Sequence, residues 1–206
     1  MSEFASLLKH LKFGLRPADE PVSVATGIRQ AAVALILRQH LDEPQLLVIK
    51  RAESERDHWS GHLALPGGRR QAEDPNLCFT ALRETREEVG IDLSGGGEVL
   101  GRLETVTPQS SLAPQVTVTP FVAVAPPEYH LRAAGREPRS PVLNHEVASA
   151  FWIPTAFLNR SGRSEVFRLV IAGRQREWPA YPSEQGLIWG LTERILTGFL
   201  ELIKSA

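Results

Sequence analysis

The sequence predicts an α+β fold in which one mixed β-sheet lies between helices. Three observations carry that expectation. Two short continuous apolar runs, Ala31 to Leu37 (AAVALIL) and Leu46 to Ile49 (LLVI), suit buried strands. A polar segment that opens near Asp74-Pro75 and closes near Gly90 has helical spacing and helix-end residues. The tail from about Glu184 to Ile203 repeats apolar residues at helical spacing, with Leu187, Ile188, Leu191, Ile195, Phe199 and Leu202 on one face.

The elements follow in order. Phe4, Leu7, Leu8, Leu11 and Leu15 are spaced for a short amphipathic helix, and Pro17 to Pro21 reads as a linker. This divides the chain into residues 1–21, helix and linker, and residues 22–206, one domain. Asp42-Glu43-Pro44 reads as the hairpin turn between the two apolar runs. Glu53 to Gly61 is polar and loop-like, and Leu63 to Leu65 leads into the turn Pro66-Gly67-Gly68. Asp74 suits a helix N-cap because its carboxylate can accept backbone N–H groups, and Pro75 suits the first helical position. Gly90 suits the C-terminal cap, where positive φ is needed. Strands are expected at Glu98 to Thr105, Val116 to Val124 and Val166 to Ile171, with a short apolar piece at Ala150 to Ile153 and a loop at Pro126 to Pro141.

Composition narrows the function. With 23 Lys plus Arg against 24 Asp plus Glu, the net charge of -1 argues against a general nucleic-acid binder. A small anionic ligand needs only a few local cations and stays open. One cysteine, Cys78, permits no intramolecular disulfide. The first fifteen residues lack the continuous apolar core of a secretory signal, and no run approaches the roughly 20 apolar residues of a spanning helix. A cytoplasmic protein with no membrane partner is expected.

The chemistry concentrates in Arg83-Glu84-Thr85-Arg86-Glu87-Glu88-Val89-Gly90-Ile91. At about 100° per residue, Glu84, Glu87 and Glu88 share one arc of the helix. Cys78, Ala81, Leu82, Thr85 and Val89 share the neighbouring arc and read as its core side. Like charges four residues apart cost a helix a few tenths of a kcal/mol. A hard divalent cation removes that repulsion, and carboxylate oxygens are what Mg²⁺ and Mn²⁺ prefer. Arg83 or Arg86 could pair with a carboxylate and fix its rotamer. A merely solvated acidic face is the competing reading of the same triplet. Gly67-Gly68 favours the cation, because a glycine turn lets backbone approach a ligand closely.

Gly68 to Ile91 resembles the Nudix box, G-x5-E-x7-R-E-U-x-E-E-x-G-U, where U is a bulky apolar residue. Gly68, Arg83-Glu84, Glu87-Glu88, Gly90 and Ile91 match. Asp74 stands where Glu is usual, eight residues rather than seven separate it from Arg83, and Thr85 replaces the bulky aliphatic. The resemblance implies a Nudix-type α/β/α sandwich and metal-dependent hydrolysis of a nucleoside diphosphate joined to another moiety. It implies Glu84 and Glu88 as main ligands of Mg²⁺ or Mn²⁺, with Glu87 and the Gly68 carbonyl in support. The catalytic set it suggests is Glu84, Glu87, Arg83 and the loop acid Glu146.

Leu47 to Gly68 is further similar to the element that precedes the box in coenzyme A diphosphatases, through Arg51-Ala52, Arg56, Gly61 and Pro66-Gly67-Gly68. Four residues rather than three separate Arg56 from Gly61, and Leu65 stands in place of Phe. The tail Tyr181 to Thr192 looks like the same group. Coenzyme A or a derivative is therefore the leading substrate. ADP-ribose, NADH or another nucleotide diphosphate is the alternative, and a silent nucleotide-binding module is a third reading. Arg51, Arg56 and Arg69 are candidates for holding phosphate oxygens, as is Arg70. Trp59 is the candidate for base stacking, whereas Trp152, Trp178 and Trp189 read as core or interface. Homodimers are common in the family, and the N-terminal helix could serve one or simply pack on the core.

Overall fold

In the computed structural model the described residues are 2–23, 27–54, 60–108, 115–130, 137–171 and 173–204. Helix α1 (Glu3–Gly14) comes first, followed by the strands β1 (Arg29–His40) and β2 (Glu43–Arg51). They form a hairpin whose register pairs His40 with Glu43. The turn is therefore Leu41-Asp42, one position earlier than the expected Asp42-Glu43-Pro44. Leu41 takes a positive φ of 58°, so register overrides its backbone preference. Glu43 and Pro44 already belong to β2.

Away from the hairpin β1 and β2 diverge. Short strands β3 (Leu63–Ala64) and β4 (Gly67–Arg69) fill the gap: β3 pairs with β2 at Lys50 and Ile49, and β4 pairs with β1 from Ala31 to Val33. β6 (Val116–Val124) runs parallel to β1 along its far edge, and β5 (Glu98–Arg102) closes that side. β7 (Val147–Pro154) lies antiparallel on the outer edge of β2. The sheet is thus mixed, as expected. The Pro66-Gly67-Gly68 turn sits where the two central strands part.

Both faces of the sheet are covered, which explains the continuous apolar runs. Ala32, Ala34 and Ile36 of β1 face helix α2 (Leu77–Val89), with Leu77, Ala81 and Val89 buried against them. Ala31, Leu35 and Leu37 point the other way, into a core shared with Phe4 and Leu11 of α1 and with Ile195, Leu196 and Phe199 of helix α4 (Gly190–Lys204). The N-terminal helix thus packs on the core, and its His10 Nε2 lies 2.9 Å from the Leu202 carbonyl. Among the described residues no helix is long and apolar enough to cross a membrane.

The C-terminal third departs from expectation. A short helix α3 (Thr155–Ser161) follows β7, and a second sheet of three antiparallel strands, β8 (Glu165–Ile171), β9 (Arg174–Ser183) and β10 (Gly186–Trp189), precedes α4. Leu187 and Ile188, expected on the helix, are in β10, where Ile188 pairs with Tyr181. The helix starts at Gly190 instead, because ladder pairing to β9 holds the preceding residues extended. Trp189 stacks on Phe167 of β8 with ring centroids 3.9 Å apart, and Trp178 and His62 edge against that pair. Trp178 and Trp189 therefore belong to an aromatic packing cluster, as core readings go. The expected strand at Glu98 to Thr105 ends at Arg102, and a 3-10 turn (Pro127–Tyr129) lies inside the expected loop at Pro126 to Pro141.

One buried group in α2 is unsatisfied. Thr85 is fully buried, and its Oγ1 has no hydrogen-bond partner among the described residues. Thr85→Val keeps the shape and removes the stranded hydroxyl. It should stabilise the protein by about 1 kcal/mol. Chemical denaturation checks this, and a loss of stability would mean that the hydroxyl is satisfied after all.

Candidate active site

Helix α2 carries the acidic residues expected to do the chemistry, and its N-terminus is not where Asp74 was expected to place it. Asn76 is the N-cap, accepting the Phe79 N–H at 2.8 Å. Gly90 closes the helix with φ 67°, as expected. Asp74 lies ahead of the cap, 2% exposed. Its carboxylate accepts from the Gln71 N–H at 2.9 Å and the Thr80 hydroxyl at 2.9 Å. Arg83 completes its shell with a two-pronged contact, Nε and Nη2 each 3.0 Å from one carboxylate oxygen. These Arg83 bonds above all hold the Asp74 carboxyl down at about 2.

Arg83 organises the whole ridge. Besides Asp74, its Nη1 reaches Glu87 Oε2 at 2.9 Å, its Nη2 reaches Glu84 Oε1 at 2.8 Å, and Nη2 also donates to the Arg69 carbonyl at 3.3 Å. A planar guanidinium with five donors can serve several carboxylates at once, which a lysine cannot.

Glu88 is only 3% exposed, and its Oε2 accepts the Gly67 N–H at 2.8 Å. Burial raises its carboxyl to about 7; the Gly67 N–H and Arg51 oppose that, and Glu84 and Glu146 add to it. Glu84 is also raised, first by burial, with Arg83 opposing and with Glu87 and Glu146 reinforcing. A buried and a half-buried carboxylate thus sit in a repulsive field. Gly68 faces Glu84 so closely that a Cβ there would fall 2.5 Å from the carboxylate carbon.

Glu146 reaches this cluster through the segment before β7. The Val142 and Asn144 N–H groups donate to the last carbonyls of α2, those of Val89 at 2.9 Å and Glu88 at 3.1 Å. Asn144 Oδ1 then accepts the Glu146 N–H at 2.9 Å, and the Glu146 carbonyl accepts from Ala52 at 2.8 Å. The Glu146 side chain is 57% exposed, close enough to raise both Glu84 and Glu88. A loop acid far away in sequence therefore joins the helix acids because free carbonyls at a helix end need donors.

The basic candidates separate. Arg51 ends β2 and acts on Glu88. Arg69 is exposed and contributes its carbonyl to Arg83. Arg70 spends its guanidinium on the Asp74 and Pro75 carbonyls and on Gln30, so it braces the turn before the helix. Arg56 and Trp59 lie outside the described residues. The Gly67 N–H contact to Glu88 has no signature in side-chain pattern, because its donor is backbone.

The two glycines predict different phenotypes. Gly67 has φ 149°, and a Cβ there would strike the Ala32 carbonyl and the Val33 backbone, so Gly67→Ala should cost roughly 1–3 kcal/mol of stability. A Cβ on Gly68 meets only the end of a flexible side chain, so Gly68→Ala should fold normally and displace Glu84. Turnover should then fall on the order of 100-fold, the effect of about 1 Å of misplacement. Melting curves and initial rates on both variants separate the two effects.

The fold presents a ridge of helix carboxylates behind a glycine turn, oxygen donors of the kind a hard divalent cation prefers. Comparison with known proteins gives the family. The NUDIX domain family model matches residues 28–170, and the chain belongs to that family. It is 32% identical over 169 residues to the uncharacterized Nudix hydrolase NudL of Enterobacter sp. (strain 638), covering 82% of this chain and 79% of the relative. It is 31% identical over 185 residues to NudL of Photorhabdus laumondii subsp. laumondii, covering 90% of each. Among solved structures, a MutT/nudix family protein from Enterococcus faecalis superposes with TM-score 0.56 at 18% identity, covering 90% of this chain and 66% of that one. That likeness establishes the α+β fold. The chain is accordingly an enzyme of the Nudix hydrolase class, a pyrophosphohydrolase acting on nucleotide diphosphate derivatives.

Proposed function

We propose that this enzyme hydrolyses the diphosphate linkage of coenzyme A or a coenzyme A derivative, with Mg²⁺ or Mn²⁺ as cofactor. The observation that carries the chemistry is the convergence of Glu84, Glu88 and Glu146 beside the Gly67-Gly68 turn, with burial raising the first two. Oxygen donors in a repulsive field suit a hard divalent cation. Among the described residues no three acidic, His or Cys side chains already form a metal cluster. The hydrogen bonds explain how the donor set still fits. Arg83 holds Oε1 of Glu84 and Oε2 of Glu87, and Gly67 holds Oε2 of Glu88, which leaves the second oxygen of each carboxylate to turn toward an ion.

Glu84 and Glu88 would be the main ligands, with Glu87 and the Gly68 carbonyl in support. A bound divalent ion would neutralise the diphosphate and lower the pKa of an attacking water. Arg83 fixes the rotamers of Glu84 and Glu87. Glu146, exposed and at the rim of the cluster, is the candidate to take the proton from that water. Arg51, which acts on Glu88, is the candidate to meet phosphate oxygens.

The coenzyme A assignment rests on the segment ahead of the box, and its folding supports that reading. The Arg51 N–H donates to the His62 carbonyl at 3.0 Å, and the Arg51 carbonyl accepts from Gly61 at 3.2 Å. The matching residues Arg51, Gly61 and Pro66-Gly67-Gly68 are thus gathered beside the acidic cluster. Product release from coenzyme A, ADP-ribose, NADH, diadenosine polyphosphates and nucleotide sugars, each with Mg²⁺ or Mn²⁺, tests it. Selective formation of a phosphopantetheine product is expected. Preference for another member of the panel overturns the coenzyme A assignment and leaves the chemistry standing.

A further inference from the structure

We propose that a second oxyanion site, separate from the carboxylate cluster, lies beyond the C-terminal end of α2 and takes a phosphate group. Arg38 continues the face of β1 that carries Ala32, Ala34 and Ile36, past the part buried by the helix. The segment 137–143 closes over this end of the sheet and leaves a hollow of about 370 Å³, lined by Arg38, Arg139, Ser140, Glu137, Leu143 and Trp152. Leu143 is adjacent to Asn144, which bonds the last turn of α2, so the hollow begins next to the catalytic helix without including its acids.

Two donors there have no acceptor among the described residues, Arg38 Nη1 and Trp152 Nε1. Arg38 spends Nε and Nη2 on one atom, Gln45 Oε1, at 2.9 and 2.7 Å. Among the described residues its Nη1 has no acceptor and no carboxylate pairs with it. Its guanidinium lies 4.5 Å from the centroid of the Trp152 ring. Stacking of that kind offsets part of the cost of burying a cation and leaves its in-plane N–H groups available. Burial also depresses Arg38 to about 10, the sign of a desolvated charge without a counter-ion. Trp152 Nε1 is buried, with no hydrogen-bond partner among the described residues. Arg139 faces the same hollow, its guanidinium 5.9 Å from the centroid of the Tyr129 ring. One carboxylate, Glu137, lines the hollow against two guanidinium groups, so the balance favours an anion. A half-buried guanidinium without a counter-ion is costly, and an oxyanion held by Arg38 and Arg139 offsets that cost.

The phosphate could be free or carried on a nucleotide, and the experiment distinguishes these sources. The full chain in the Glu88→Gln background, free of divalent metal, is titrated with inorganic phosphate against potassium chloride of equal ionic strength. The readout is the indole N–H resonance of Trp152, assigned by its loss in Trp152→Phe. A saturable shift with phosphate and none with chloride is expected, weakened at least 10-fold in Arg139→Ala. Arg139 is exposed, so that variant should fold, and melting curves confirm it. Arg38→Gln should abolish the response. An unmoved resonance, an equal response to chloride, or unchanged affinity in Arg139→Ala overturns the site. Repeating the titration with adenosine 3′,5′-bisphosphate and adenosine 5′-monophosphate identifies the source. Binding at least 10-fold tighter than inorganic phosphate means a nucleotide carries the group, and equal binding means that phosphate alone is recognised. The result is independent of which diphosphate the enzyme cleaves.

Discussion

Glu88→Gln should abolish turnover while making the metal-free protein more stable at alkaline pH. Both effects come from the same position. As the proposed metal ligand, Glu88 should be worth at least about 100-fold in rate, the upper range seen for groups that merely support ligands. As a buried carboxyl raised to about 7, it binds its proton more tightly folded than unfolded. The associated stability is fully present below about 4.5 and is lost as pH rises through about 7. The shift corresponds to on the order of 3 kcal/mol at high pH. Gln cannot ionise, and its carbonyl can still accept the Gly67 N–H. Chelator-treated wild type should therefore lose stability from pH 5 to 8, and the variant should follow a flatter curve and exceed it at pH 8. Added Mg²⁺ should restore wild type and leave the variant unmoved. Active Glu88→Gln protein would remove Glu88 from the metal site. A parallel pH profile in the two proteins would show that Glu88 is not the buried acid behind the effect.

Arg83→Ala should be the most destabilising single change among the site residues, costing about 3–5 kcal/mol. The reason is the 2% exposure of Asp74, whose charge would lose its two-pronged partner inside the protein. For a chain of this size the melting temperature should fall by roughly 10 °C. Arg83→Lys should not rescue it, because an ammonium cannot span both Asp74 oxygens while reaching Glu84 and Glu87. The double variant Arg83→Ala, Asp74→Ala should lose less than the sum of the singles, since removing both charges leaves no orphan. Asp74 also sets an acid limit. Its carboxyl lies near 2, below its ordinary 3.8, so its contribution is present above 3.8 and is lost as pH falls through about 2. Additive losses in the double variant would sink the ion-pair account. If Asp74→Ala cost only about 1 kcal/mol, Asp74 would be acting no more strongly than a helix cap.

These expectations differ from the sequence reading of Asp74 for a physical reason. Asp followed by Pro has the chemistry of a helix start, and local propensity cannot distinguish it from Asn76 two residues later. The choice was made by Arg83, Thr80 and the Gln71 N–H, which hold the Asp74 carboxylate and leave the Phe79 N–H to Asn76. The C-terminal region shows the same limit. Leu187 and Ile188 continue a helical stripe, yet β9 offers ladder partners to them. Apolar spacing alone does not tell a strand end from a helix start when the two abut.

The linear sequence determined the local matters. The continuous runs of β1 and β2 required strands buried on both faces, and the 3.6-residue period put Glu84, Glu87 and Glu88 on one ridge beside a core side. Gly90 needed its positive φ whatever the surroundings. Only the tertiary structure decided that Glu84 and Glu88 would be raised, because burial behind the Gly67-Gly68 turn sets that. It also decided that Glu146 would join them, since the segment before β7 satisfies the open carbonyls of α2. And it left Arg38, without a carboxylate partner among the described residues, facing a hollow beside Trp152. Periodicity and local propensity act over a few neighbouring residues, whereas desolvation and long-range pairing depend on which distant segments the folded sheet brings together.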